Sequence, residues 1–260
     1  MYLCFVPQKY LKLAVILLAI ILRQAVFAQQ FESVKDVEEK GILYNRIHTF
    51  GLTVHSGGLG INYRPGKNLS GYSFLMGDFQ LINMRHPKEV RSVNPFSDNN
   101  SGYIYGKLNA VFIARTGIGI RKTLNPKEGK GGVELSWSGF AGASWGLSKP
   151  VFLTIYQFDD QNGLSESIEK YNPQVHYPDN IAGRASGLKG WNELKIHPGF
   201  YASAALDFEF GKAPDRLKIV EAGTGVDVFP KAIPIMAFTE SPRFFFSFFI
   251  RFLFGRKWNK

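Results

Sequence analysis

The chain ends on Phe244, Phe246, Phe248, Ile250, Phe252 and Phe254 at every second position, with Ser247, Arg251 and Gly255 between them. A period of two puts one class of side chain on each face of a β-strand. In water a phenylalanine face of this size requires a large partner surface. In a bilayer it requires only lipid.

The same period recurs through most of the chain. Phe200, Ala202, Ala204, Leu206, Phe208 and Phe210 oppose Tyr201, Ser203, Ala205, Asp207 and Glu209. Val220 to Val228 sets Val220, Ala222, Thr224, Val226 and Val228 against Glu221, Gly223, Gly225 and Asp227. Val133 to Trp145 sets Leu135, Trp137 and Trp145 against Glu134, Ser136, Ser138 and Ser144, and Ala110 to Arg121 sets Phe112, Ile118 and Ile120 against Arg115 and Arg121. Leu75, Phe79 and Leu81 oppose Met76, Asp78 and Gln80, and Phe50, Leu52 and Val54 oppose Thr49, Gly51 and Thr53. Leu59 to Arg64 and Val151 to Tyr156 carry the pattern more weakly. These segments make nine candidate strands.

Turn chemistry separates them, at Ser56-Gly57-Gly58, Pro65-Gly66, Asn125-Pro126, Ser148-Lys149-Pro150 and Ala213-Pro214-Asp215. The two longest gaps are 85–102 and 158–195. No later apolar run approaches the roughly 18 residues of a membrane helix.

The first residues read differently. Lys9 and Lys12 precede the apolar run Leu13 to Leu22, and Val26 and Ala28 suit the positions before a signal peptidase cut. This pattern predicts a cleaved signal peptide over 1–28, followed by a periplasmic segment over 29–43 and a β-domain over 44–260. Removing 1–28 takes away Lys9, Lys12, Arg23 and no acid from 31 basic and 21 acidic residues, which leaves a net charge of +7. It also removes Cys4, the only cysteine, so the mature chain has no disulfide to hold it.

Alternation alone fits either a soluble sandwich, with its polar face outward, or an outer-membrane barrel, with its polar face inward. The phenylalanine face, the glycines and alanines within strands, and the aromatics near strand ends (Tyr63, Tyr72, Tyr103, Tyr105, Trp137, Trp145, Tyr156, Trp258) favour the barrel. In lipid only a closed barrel pairs every strand edge. The expected fold is therefore an all-β, closed, antiparallel transmembrane barrel of 8–10 strands, with both termini in the periplasm.

The chain resembles the small outer-membrane β-barrel proteins of diderm bacteria. The resemblance rests on the signal peptide, the alternating strands and the terminal FFFSFFIRFLFGRKW, which resembles the signal read by the barrel-assembly machinery. Trp258 is followed here by Asn259 and Lys260, whereas many such proteins end on the aromatic residue. The segments SGYIYGKLN (101–109) and GLKGWNELKIHPGFYA (187–202) are similar to an uncharacterised group of these barrels. The resemblance implies a shape and no particular chemistry.

A lumen this narrow is filled by side chains. The inward faces would hold Asp78, Glu134, Asp207, Glu209, Glu221 and Asp227 with Arg115, Arg121 and Arg251, closed into ion pairs because an unpaired buried charge is costly. Asp207 with Arg251 and Glu134 with Arg115 are the expected pairs. Phe158 to Lys195 is expected as an exposed extracellular loop, and the links at Ser148 and Pro214 as periplasmic turns.

The five histidines lack metal-ligand spacing, and no metal, cofactor or catalytic set is expected. Ser165, Ser167, His176 and Asp179 share the long loop, but a polar loop always offers such residues. Nucleic acid is an improbable partner for an exported chain with scattered basic residues. Membrane lipid and lipopolysaccharide phosphate, near Arg243, Arg256 and Lys257, are the expected partners, with the assembly machinery during biogenesis. The expected role is structural or surface-interacting. A narrow channel for ions or small solutes and a membrane-embedded enzyme are the alternatives.

Overall fold

The computed structural model describes residues 44–95, 101–127, 132–159, 163–211, 213 and 215–259. The segments expected as signal peptide and periplasmic linker lie outside them. In chain order the strands are β1 (Arg46–His55), β2 (Gly58–Ser70), β3 (Ser73–Met84), β4 (Arg91–Ser92), β5 (Tyr103–Ile104), β6 (Asn109–Asn125), β7 (Glu134–Pro150), β8 (Phe152–Asp159), β9 (Gly163–Lys170), β10 (Ile181–Arg184), β11 (Lys195–Phe210), β12 (Arg216–Val228) and β13 (Phe244–Trp258).

Eight of these close into one antiparallel barrel in the order β1-β13-β12-β11-β7-β6-β3-β2. Each barrel strand pairs with its neighbours in sequence, and β13 closes the ring on β1 from Arg46↔Trp258 to His55↔Phe249. A transmembrane strand needs about 9–11 residues. β6 and β7 have 17 each and β11 has 16, so these strands are longer than a membrane requires.

The alternation sets the faces. Phe244, Phe246, Phe248, Ile250, Phe252 and Phe254 point outward and stay exposed, with Phe244 at 66%. Phe245, Ser247, Phe249, Arg251 and Leu253 point inward and are buried. Trp145 and Trp137 stand on the same outward face near opposite ends of β7.

Four expectations need correction. Val151 to Tyr156 is no barrel strand: it forms most of β8, which pairs with β9 and β10 in a separate three-stranded sheet. The excursion after β7 is therefore folded, where a loop was expected. Pro65-Gly66 is no turn, because β2 runs through it. Proline has no N–H to give a ladder, and the β2–β3 pairing steps from Tyr63↔Phe79 to Gly66↔Met76 around it. Ser148 lies at the end of β7 that enters the long excursion, opposite the short β11–β12 link. Tyr103, expected in an aromatic girdle, is buried among Leu153, Ile155, Tyr171 and Ile181 in the folded loops.

The loops converge at one end. The bridge Lys107↔Met236, the bond from Leu108 N–H to the Ile235 carbonyl, and Asn109 Nδ2 donating to the Pro234 carbonyl at 2.7 Å tie 101–109 to 229–237. Phe229, Ile233, Ile235 and Met236 pack against Ile82, Met84, Val111, Ile113 and Phe245 from the walls. This end is called the loop end below, and the other the terminal end.

Candidate functional site: the barrel interior and its loop end

β2, β3, β6, β12 and β13 each send charged side chains inward at one level. Arg64 donates from Nε to Asp78 at 2.7 Å and from Nη1 to Glu221. Arg251 donates from Nη1 to the same Glu221 at 2.6 Å and from Nη2 to Gln80 Oε1 at 3.1 Å. Arg115 engages Asp227 with Nε and Nη2, and Gln80 Oε1 with Nη1. Tyr201 Oη donates to Asp78 at 2.7 Å, and Ser144 Oγ to Asp227 at 2.8 Å. Three arginines meet three carboxylates, and all six are nearly inaccessible. The Arg251 guanidinium lies 3.7 Å from the Phe249 ring centroid and that of Arg64 4.0 Å from Phe140.

A second cluster faces the terminal end. Arg121 lies 3.1 Å from Glu209, 3.2 Å from Asp207 and 3.4 Å from Glu134. Lys127 reaches Glu209 at 3.0 Å and Lys257 at 3.1 Å. Ser138 donates to Asp207 at 2.9 Å, and Thr123 and Ser136 donate to Glu134 at 3.1 and 3.0 Å. Again three cations meet three carboxylates.

Of the nine residues, eight are buried within the ring and Glu134 is partly buried, and neither of the two expected pairs forms. Asp207 does not pair with Arg251: β12 stands between their strands, and its Glu221 takes Arg251. Glu134 does not pair with Arg115, because β6 and β7 set Arg115 opposite Ser144, ten positions along β7 from Glu134. Glu134 meets Arg121 instead.

The expected six acids and three arginines left three charges unbalanced. Arg64, Lys127 and Lys257 supply the balance. Arg64 continues the alternation of Asn62 and was obscured by the Pro-Gly pair after it. Lys257, expected at headgroup depth, is instead mostly buried against Glu209. Gly117 sits opposite both Asp78 and Gly142. A Cβ there would stand 2.5 Å from Tyr201 Oη and 2.5 Å from the Ala141 carbonyl, so this glycine makes room for the Tyr201–Asp78 bond.

The loop residues do not assemble a hydrolytic set. His176 accepts from Asn172 N–H at Nδ1, and its Nε2 faces Glu169 at 3.1 Å. Ser167 donates to Glu169 at 2.8 Å, and Ser165 to the Gln157 carbonyl. The Ser167 and His176 bonds hold the Glu169 carboxyl below its ordinary range. Sequence reading missed a different contact, Ser148 Oγ to His197 Nε2 at 2.9 Å. Among the described residues no carboxylate touches His197.

A closed eight-stranded antiparallel barrel with an apolar exterior and a charged interior has the architecture of the small outer-membrane β-barrels. No protein-family model matches the chain, and no curated protein matches it in sequence. Among solved structures it is similar to Ail, the attachment invasion locus protein of Yersinia pestis, with 10% identity and a TM-score of 0.41 over 84% of this chain and 100% of that one. It is also similar to Neisserial surface protein A, with 8% identity and a TM-score of 0.39 over 83% of this chain and 96% of that one. The N-terminal β-barrel domain of Pseudomonas aeruginosa OprF matches with 8% identity and a TM-score of 0.32, over 81% and 98% of the two chains.

Proposed function

We propose that the protein spans the outer membrane as a closed barrel and serves a structural or surface-interaction role, with its loop end outward. The observation that carries this reading is the pairing of an exposed apolar exterior with a charge-balanced interior. In lipid the exterior is solvated, and the interior matches its buried cations with carboxylates. In this reading 1–28 directs export and is removed, 29–43 lies in the periplasm, and both ends of the β-domain face that compartment. The phenylalanines from Phe244 to Phe254 face lipid, and the assembly machinery reads β13. Arg243 and Arg256 meet lipopolysaccharide phosphates. No cofactor, metal or catalytic step belongs to this role.

The two charge layers and the apolar packing of Phe229, Ile233, Ile235 and Met236 at the loop end support a lumen that does not conduct. The test combines membrane fractionation, gel migration with and without boiling, and planar-bilayer conductance. The reading expects the outer-membrane fraction, a heat-dependent shift and baseline conductance. Discrete channel openings would replace it with the channel reading. A soluble protein with no shift would overturn the membrane assignment altogether.

A further inference from the structure

At the loop end a cleft of about 500 Å³ opens between the barrel rim and the folded loops. Arg85, Arg91, Arg184, Lys107 and Lys149 line it, with Glu89 as its one acid. Two of the cations are engaged. Lys107 pairs with Glu89 at 2.6 Å. The buried Lys149 donates to the carbonyls of Gly187 and Lys189 at 2.7 and 2.8 Å. Among the described residues the three arginine side chains meet no carboxylate, and all three are exposed. Among the described residues the two charge clusters of the barrel interior match cations to carboxylates, whereas this cleft gathers uncompensated arginines from two separate loop segments.

Like charges held together repel unless an anion joins them. A guanidinium offers a planar fork that matches phosphate or sulfate oxygens in pairs. Gly102 supports the arrangement: a Cβ there would come within 2.4 Å of Arg91 Nε, so the glycine leaves room for that side chain at the cleft wall. The volume falls within the roughly 300–1,000 Å³ of small-molecule sites and exceeds what a lone phosphate fills. Tyr103 and Phe152 supply apolar wall for a ring.

We propose that this cleft binds a sugar-sized ring carrying several phosphate or sulfate groups. The proposal deepens the surface-interaction reading and rests on it for access from outside the cell. The shared chemistry has two sources: a phosphorylated saccharide of the surrounding lipopolysaccharide, or a free saccharide.

Calorimetry with inositol hexakisphosphate on the folded barrel in zwitterionic detergent tests it, with myo-inositol as the neutral control. The expected result is saturable binding that weakens with salt. Replacing Arg85, Arg91 and Arg184 together by Gln should weaken it roughly tenfold or more, while Arg216→Gln, away from the cleft, should not. Boiled and unboiled migration verifies that each variant is folded. Repeating the titration in lipopolysaccharide-containing vesicles separates the sources: binding lost there assigns the cleft to the resident lipid, and binding retained assigns it to a free ligand. No saturable binding in detergent, or equal binding by the triple variant, overturns the proposal and leaves the barrel reading intact. A soluble protein that still binds overturns the barrel reading instead.

Discussion

Arg64 and Glu221 stand 157 residues apart in the chain and meet inside the barrel at 2.5 Å, where Glu221 also accepts from Arg251. One carboxylate thus joins β2, β12 and β13 across the closing seam.

Glu221→Gln should therefore destabilise the barrel by roughly 3–5 kcal/mol, because it leaves two buried guanidinium groups sharing one carboxylate fewer. Urea unfolding followed by loss of the unboiled gel form measures it. Arg256→Gln breaks an exposed contact to Asp215 at 3.5 Å. Its effect should stay within about 1 kcal/mol.

Tyr201→Phe removes one donor from the Asp78 carboxylate. Hydrogen bonds to charged groups are worth about 1.5–3 kcal/mol, and the loss should fall in that range. Gly117→Ala should cost at least as much, because its Cβ meets both the Tyr201 hydroxyl and the Ala141 backbone carbonyl. The double variant should lose less than the sum of the two, since the Tyr201–Asp78 bond is part of both losses, while the clash with Ala141 remains.

The Glu169–His176 contact predicts a pH response confined to the loops. Ser167 and His176 lower the Glu169 carboxyl from its ordinary 4.5. Its stabilisation is complete above that value and disappears as pH falls through the lowered folded-state value. Protection of amides 165–181 from hydrogen exchange, taken relative to the intrinsic rate at each pH, should fall below pH 4.5 in the native protein. In His176→Ala that pH-dependent loss of protection should shrink. The contact is part-buried, with His176 covered and Glu169 open to solvent, so added salt should weaken the effect only modestly.

Phe248→Lys tests the outward face. A lysine at the middle of a lipid-facing strand costs roughly 2–4 kcal/mol. Folded yield in vesicles should fall accordingly. Lysine at Leu188, exposed on the loops, should leave yield unchanged.

The strands were legible because alternation records which side each residue faces, and burial follows it over Phe200–Phe210 and again over Phe244–Phe254. What the period does not record is register along a neighbouring strand. That is why Asp207 and Arg251 lay on the correct face with incorrect partners: the intervening Glu221 decides both. Pro65 misled because a turn residue was tolerated where the ladder steps around it. The packing of Phe229, Ile233, Ile235 and Met236 at the loop end had no signature, since its apolar residues are interrupted by Pro230 and Pro234 and follow no period.

The seam between β1 and β13 has a kinetic consequence. Its ladder joins Arg46 to Trp258, so the ring cannot form until the last strand has been synthesised. Contacts this distant in sequence fold slowly. In the interval the alternating phenylalanines of β13 and the unpaired edge of β1 are open to aggregation. Whatever covers these two segments until they find each other therefore governs how much of the chain reaches the closed ring.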